Sequence, residues 1–174
     1  MSDPDPPLLT VPRYRAHPTP LPGQRRRAFA RYLRRLIHEA LDEPPGRPSR
    51  AKPINPSPAL QQIAAAGCAA CGGHCCSRGG VHAYLDHDSI RRVAQAHPTL
   101  RARGLAALYF DRLPAESLDG SCVFHRSDGC VLPRELRANL CNAFYCTPLI
   151  RFFRAHADHV PADVRIEASA ERGR

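Results

Sequence analysis

Eight cysteines, all placed after residue 60 of a 174-residue chain, constrain this fold more than any other feature. Four stand in "GCAACGGHCCSRGG", residues 67–80, as C-x2-C-x3-C-C at Cys68, Cys71, Cys75 and Cys76. The others follow as C-x7-C-x10-C-x4-C at Cys122, Cys130, Cys141 and Cys146. Thiols at this density need partners, either one another or a metal. The opening "MSDPDPPLLTVPRYRAHPTPLPGQ" is proline-rich and lacks the apolar segment of a secretory signal. The expected compartment is therefore the cytoplasm, where thiols are kept reduced, and eight cysteines there read as metal ligands or catalytic groups before disulfides.

The spacing carries geometry. A C-x2-C pair in a tight turn brings two sulfurs to one ion, and glycines beside it, here Gly67, Gly72 and Gly73, let backbone N–H groups turn toward the sulfurs. In a continuous helix Cys141 and Cys146 would be about 140° apart. Pro148 disfavours helical geometry at Thr147, so a helix is expected to stop near Phe144 or Tyr145 and let Cys146 turn back toward Cys141. The "HRSDGC" turn is expected to fold Cys130 back near Cys122. Two groupings are open at this point. Each quartet holds its own centre, or ligands from both halves interleave around one or two centres. Adjacent Cys75 and Cys76 favour interleaving, because successive side chains diverge and suit different metals or a bridge between two. His74 and His125 are reserve ligands.

The rest of the chain reads as mainly α: a small metal-stabilised domain of short helices and irregular cysteine-bearing loops. Residues 1–60 hold 13 of the 18 prolines. Residues 1–23 show no hydrophobic period and are expected to be a disordered Pro-rich tail. From Gln24 to Glu43, Phe29, Leu33, Leu36, Ile37, Ala40 and Leu41 recur at three and four residues, which predicts an amphipathic helix. Its other side carries Arg25, Arg26, Arg27, Arg31, Arg34 and Arg35, an ordinary solvated face or a surface for an acidic protein, an anionic lipid surface or nucleic acid. Residues 44–58 read as a linker, 59–160 as a single cysteine-cluster metal-binding domain, and 161–174 as a polar tail. Within that domain we expect a helix at 59–66 ended by Gly67, a strand at "VHAYL", and a helix capped by Asp88 or Ser89 through Gln95. Further helices are expected from Thr99 to Arg112, Pro133 to Phe144 and Pro148 to Ala157.

Residues 1–60 carry a formal charge of +6 and the remainder +3, and two four-thiolate sites around dipositive centres would take the latter to −1. That balance disfavours a nucleic-acid surface on the cysteine core itself. No apolar run approaches the length of a bilayer span.

The "CAACGGHCC" run, followed by "SCVFHRSDGCVLPRELRANLCNAFYC" with Phe124, Gly129, Pro133 and Phe144, resembles the bacterial YkgJ-like cysteine-cluster family, described as a zinc- or iron-chelating domain. The resemblance spans roughly residues 65–150. It departs where Gly72, Gly73 and His74 put three residues before the cysteine pair, against two in the family's CxxCxxCC. The resemblance implies metal chelation by the cysteines and no named reaction.

Three functions are thereby expected, in order. The first is a metal-binding protein holding iron, as iron–sulfur, or zinc, on Cys68, Cys71, Cys75, Cys76, Cys122, Cys130, Cys141 and Cys146. The second is an iron–sulfur oxidoreductase or protein-modifying enzyme using the cluster, for which the sequence names no catalytic residue: no P-loop and no G-x-G-x-x-G after a strand is present. Asp86, His87 and Asp88 read as helix capping. The third is an interaction module docking through the Arg25–Arg35 helix.

Overall fold

The computed structural model describes residues 5–42 and 54–170. In chain order the elements are β1 Leu8–Arg13, β2 Pro18–Pro20, α1 Gly23–Asp42, α2 Pro58–Cys71, a 3₁₀ turn His74–Arg78, α3 His87–Ala96 and α4 Ala102–Phe110. There follow β3 Glu116–Leu118, β4 His125–Arg126, β5 Gly129–Cys130, a 3₁₀ turn Arg134–Leu136, α5 Asn139–Ala143, α6 Thr147–Ala155 and β6 Arg165–Ala170. The architecture is mainly helical, as expected, and its strands form pairs only.

These elements sort into two compact units, each with its own core, where the sequence suggested one cysteine domain with a helix outside it. The first comprises the described residues within Met1–Arg15, Pro53–Cys75 and Tyr145–Arg174; the second, those within Ala16–Lys52 and Cys76–Phe144.

In the first unit β1 and β6 run parallel, in register from Leu8↔Arg165 to Arg13↔Ala170. Leu9 and Val11 alternate inward from β1 and join Leu60, Ala64, Cys71, Leu149, Phe152 and Phe153 in the core. This corrects the reading of 1–23 as a disordered tail and of 161–174 as a polar tail over their described residues, 5–23 and 161–170, which carry β1, β2 and β6; residues 1–4 and 171–174 lie outside the described residues. The physical reason is the pairing itself: two segments far apart in sequence satisfy each other's backbone groups, and neither carries more than a short alternation to announce it. Pro12 is tolerated because β1 has only one neighbour, so one side of its backbone is not needed for the ladder. Gly67 does not end a helix. It lies inside α2, where an added Cβ would stand 3.3 Å from Leu9 Cδ2 and 3.5 Å from Leu149 Cδ2. The helix ends instead at Gly72, whose φ of 67° lets its N–H reach the Cys68 carbonyl at 3.2 Å. Ser57 caps the other end by accepting from the Leu60 N–H. The predicted linker lies mostly outside the described residues, and α2 starts at its last position.

In the second unit the apolar stripe of α1 is buried as its period predicted, except that Leu41 is exposed. Phe29, Leu33, Leu36 and Ile37 enter one core with Ile90, Val93, Leu105, Tyr109, Val123 and Phe124. The Phe29 and Phe124 rings meet edge-on at 5.1 Å between centroids. The arginine helix is therefore part of this unit's core and not an appendage to it. Two of its six arginines are occupied internally: Arg25 donates to the Ser121 carbonyl and Arg26 to that of Pro114 at 2.6 Å. Arg27, Arg31, Arg34 and Arg35 face solvent, with Arg35 paired to Glu39 at 3.7 Å. β2 pairs antiparallel with β3, and β4 with β5.

Four local expectations are corrected in this unit. "VHAYL" is not a strand, because Ala83 and Tyr84 take left-handed φ of 50° and 57°. Asp86 caps α3, accepting from the Ser89 N–H at 2.8 Å, in place of Asp88 or Ser89, which bears out the reading of Asp86 as a capping residue. The helix expected from Thr99 begins at Ala102. The helix expected from Pro133 to Phe144 is a 3₁₀ turn followed by the short α5, with extended backbone at Arg137 and Ala138. Arg92 explains this last break: its guanidinium holds the carbonyls of Glu135 and Arg137 and the Asn139 Oδ1, taking acceptors that a continuous helix would need.

Candidate metal centres

The boundary between the units falls between Cys75 and Cys76, so the eight cysteines divide evenly. Cys68, Cys71, Cys75 and Cys146 belong to the first unit; Cys76, Cys122, Cys130 and Cys141 belong to the second. None is in a disulfide. Among the described residues no three His, Cys, Asp or Glu side chains form a group that holds a metal ion as they stand.

In the first unit, Cys68 and Cys71 lie on the last turn of α2, three residues apart and so on one face. Past Cys71 the chain turns through positive φ at Gly72 and Gly73, as the glycine pattern suggested. The turn aims backbone donors at the buried sulfur: the His74 N–H lies 3.4 Å from Cys71 Sγ, and the Gly73 N–H is directed at the same atom. Burial pushes the Cys71 thiol up; those two N–H groups oppose the shift, and the neighbouring Cys75 and Cys146 thiolates add to it. Cys146 is therefore an electrostatic neighbour of Cys71, and it packs on the same core. It occupies the N-cap of α6, where the helix dipole favours negative charge. Tyr14 closes the site's back by donating its N–H to the Cys71 carbonyl at 2.9 Å.

In the second unit the Cys76 carbonyl is the organising point. It accepts from the N–H groups of Gly79 and Cys122 and from Ser121 Oγ, each at 3.0 Å. Gly79 packs so tightly here that an added Cβ would stand 2.7 Å from Cys122 Cβ and 3.2 Å from its sulfur. The β4–β5 hairpin, turned at Gly129 with φ of 110°, pairs His125 with Cys130, and the His125 N–H donates to the Cys122 carbonyl at 2.9 Å. The expected return of Cys130 toward Cys122 is thus borne out. The Cys122 thiol is pushed up to about 12, chiefly by burial and also by the neighbouring Cys130 and Cys141, against lowering by the Phe124 N–H and Arg25.

Cys146 was expected to turn back toward Cys141; the two fall in different units. The helix stops at Ala143, close to the expected Phe144 or Tyr145, but not for the expected reason: Phe144 is extended and Thr147, before Pro148, is already helical as the first residue of α6. Of the reserve ligands, His125 is fully buried with its Nδ1 2.6 Å from Ser121 Oγ, so that nitrogen is already engaged in the core. His74 meets the Tyr14 ring edge-on at 6.3 Å. Ser121 and Gly79 were missed by sequence reasoning; the "SRGG" glycines were the only mark of the close approach.

No family model, curated protein or solved structure matches this chain, so the likeness to the YkgJ-like family rests on its motif residues alone. Among the described residues no helix is long and apolar enough to cross a membrane.

Proposed function

We propose that this protein binds a soft metal, zinc or iron in an iron–sulfur cluster, through its eight cysteines, and that it belongs with the YkgJ-like chelating proteins in the cytoplasm. The observation that carries the reading is the state of the two buried sulfurs. Cys71 and Cys122 lie in different units; the His74 N–H lies 3.4 Å from Cys71 Sγ, and Cys122 is buried against Gly79 with its own N–H bonded to the Cys76 carbonyl at 3.0 Å. N–H donors to sulfur stabilise thiolate and orient it, which is the usual second layer of a metal–thiolate site. A neutral buried thiol gains little from such a turn, whereas a metal-bound thiolate is held and oriented by it.

The donor set fits the group. All eight side chains are sulfur, the set that zinc and iron–sulfur clusters prefer. Bound zinc supplies structural cross-linking; a bound iron–sulfur cluster supplies one-electron chemistry as well. A need for cross-linking is visible in the first unit, which draws three separated segments around a core of eight buried residues. Units below about 70–80 residues seldom gain more than about 3–5 kcal/mol from a core alone, and natural ones add metals or disulfides.

Anaerobic purification with elemental analysis and an optical spectrum tests the proposal. Stoichiometric zinc in a colourless protein, or iron with acid-labile sulfide in a brown one, is the expected result. A folded preparation with neither refutes it.

A further inference from the structure

We infer that the chain carries two separate four-sulfur sites with interleaved ligands, Cys68, Cys71, Cys75 and Cys146 forming one and Cys76, Cys122, Cys130 and Cys141 the other, each suited to a tetrahedral soft cation such as zinc. This rests on the metal-binding reading above and specifies its sites. It contradicts the simpler grouping, in which each run of four consecutive cysteines serves one ion.

Three features of the backbone lead to it. The division between units falls inside the Cys75–Cys76 pair: Cys75 is exposed in the first unit, and Cys76 packs on the core of the second. The partners of Cys76 lie about 45 residues downstream, through the Cys122 N–H and Ser121 Oγ bonds to its carbonyl. Cys122 and Cys130 are then joined by the hairpin, and all three pack on the second unit's core. On the other side, the pair Cys68 and Cys71 ends α2, α6 packs against α2, and Cys146 at the start of α6 shares the first unit's core with Cys71. In each unit one sulfur is buried and at least one is exposed, so each set runs from core to surface, with an entry path for the ion. The count also closes: four sulfurs per unit is the complement of a closed structural zinc site.

Cadmium-113 placed in the full-length protein reads the ligands directly, because each ion correlates by NMR with the Cβ protons of the cysteines that bind it. The expected spectrum has two cadmium signals, one correlated to Cys68, Cys71, Cys75 and Cys146 and the other to Cys76, Cys122, Cys130 and Cys141. A cadmium joined to both Cys141 and Cys146, or to both Cys75 and Cys76, overturns the grouping while leaving metal binding intact. Protein that takes up no cadmium or zinc overturns the functional reading beneath it. Paired substitutions give an independent count with zinc as the probe. Cys75→Ser with Cys146→Ser removes one site and leaves one zinc per chain, whereas Cys75→Ser with Cys76→Ser removes both. The reverse result, in protein whose circular dichroism remains native, favours consecutive quartets.

Discussion

Gly79→Ala tests the second site without touching a sulfur. Gly79 is not among the residues with positive φ, so alanine is permitted by the backbone and only space decides. The added methyl would lie 2.7 Å from Cys122 Cβ, 3.2 Å from Cys122 Sγ and 3.3 Å from the Cys76 carbonyl oxygen. Carbon atoms pack at about 3.5–4.0 Å, so Cys122 must retreat by about an ångström. The atom in the way is a Cβ fixed to its backbone, and that backbone is tied to Cys76 by the 3.0 Å hydrogen bond, so the strain cannot be shed by a rotamer change. Overpacking of this kind costs about 1–3 kcal/mol. For a unit of about 100 residues, roughly 4–8 °C of Tm accompanies each kcal/mol, which places the loss between about 5 and 20 °C. Calorimetry reads the stability, and zinc content after gel filtration reads the site. The expected outcome is a lowered Tm with second-site zinc weakened and first-site zinc retained. An alanine variant with native Tm and full zinc content would show that Cys122 does not sit against this turn, and the assembly of the second site would fail with it.

Other perturbations address other parts. Each proposed site contains one thiol that burial raises, and zinc must displace that proton, so affinity falls with falling pH; between pH 8 and 6 each site should weaken by at least about 100-fold, read by competition with a chromophoric chelator, and a pH-independent affinity refutes thiolate ligation. Chelation of the bound metal should lower Tm, and an unchanged melting curve would remove the structural role of the ion. Ser121→Ala deletes bonds to the Cys76 carbonyl and to buried His125 and should cost about 1–3 kcal/mol in urea unfolding; a neutral effect refutes the role given to that hydroxyl. Tyr109→Phe removes a buried hydroxyl with no hydrogen-bond partner among the described residues, so stability should hold or rise by about 1 kcal/mol, and a loss would reveal a partner.

What could be read from the chain follows the range of the forces involved. The stripe of α1 is a local property of a helix and was legible to within a residue. So was the hairpin at Asp128-Gly129, because a left-handed turn needs its glycine nearby. The glycines around the first cysteines were legible as a group but not in role: Gly67 serves packing and Gly72 serves termination, and both look alike in sequence. The partner of β1 could not be read, since Leu9 and Val11 give only two alternations and Ile166 lies at the other end of the chain. The same limit applies to the cysteines. Spacing ranks nearby cysteines as partners, whereas the division into units separates Cys75 from Cys76. The divergence of adjacent side chains was the one local hint of this.

The interleaved grouping makes the two sites unequal in what they do for the chain. The second site draws its ligands from one continuous stretch, Cys76 to Cys141, within a single unit. The first joins Cys75 to Cys146 across that whole stretch and so closes a loop of roughly 70 residues. By the loop-entropy relation for cross-links, constraining such a loop in the unfolded chain is worth about 4 kcal/mol. That is comparable to everything a core of this size contributes by itself. Loss of Cys146 should therefore destabilise the first unit by more than loss of Cys141 destabilises the second, because Cys146 is the only first-site ligand on its segment while Cys141 shares a segment with all its partners. Hydrogen exchange in zinc-loaded Cys146→Ser and Cys141→Ser protein separates the cases: β1 and β6 should lose protection in the first variant and keep it in the second. Equal loss in both would mean that the first ion does not hold the separated segments together.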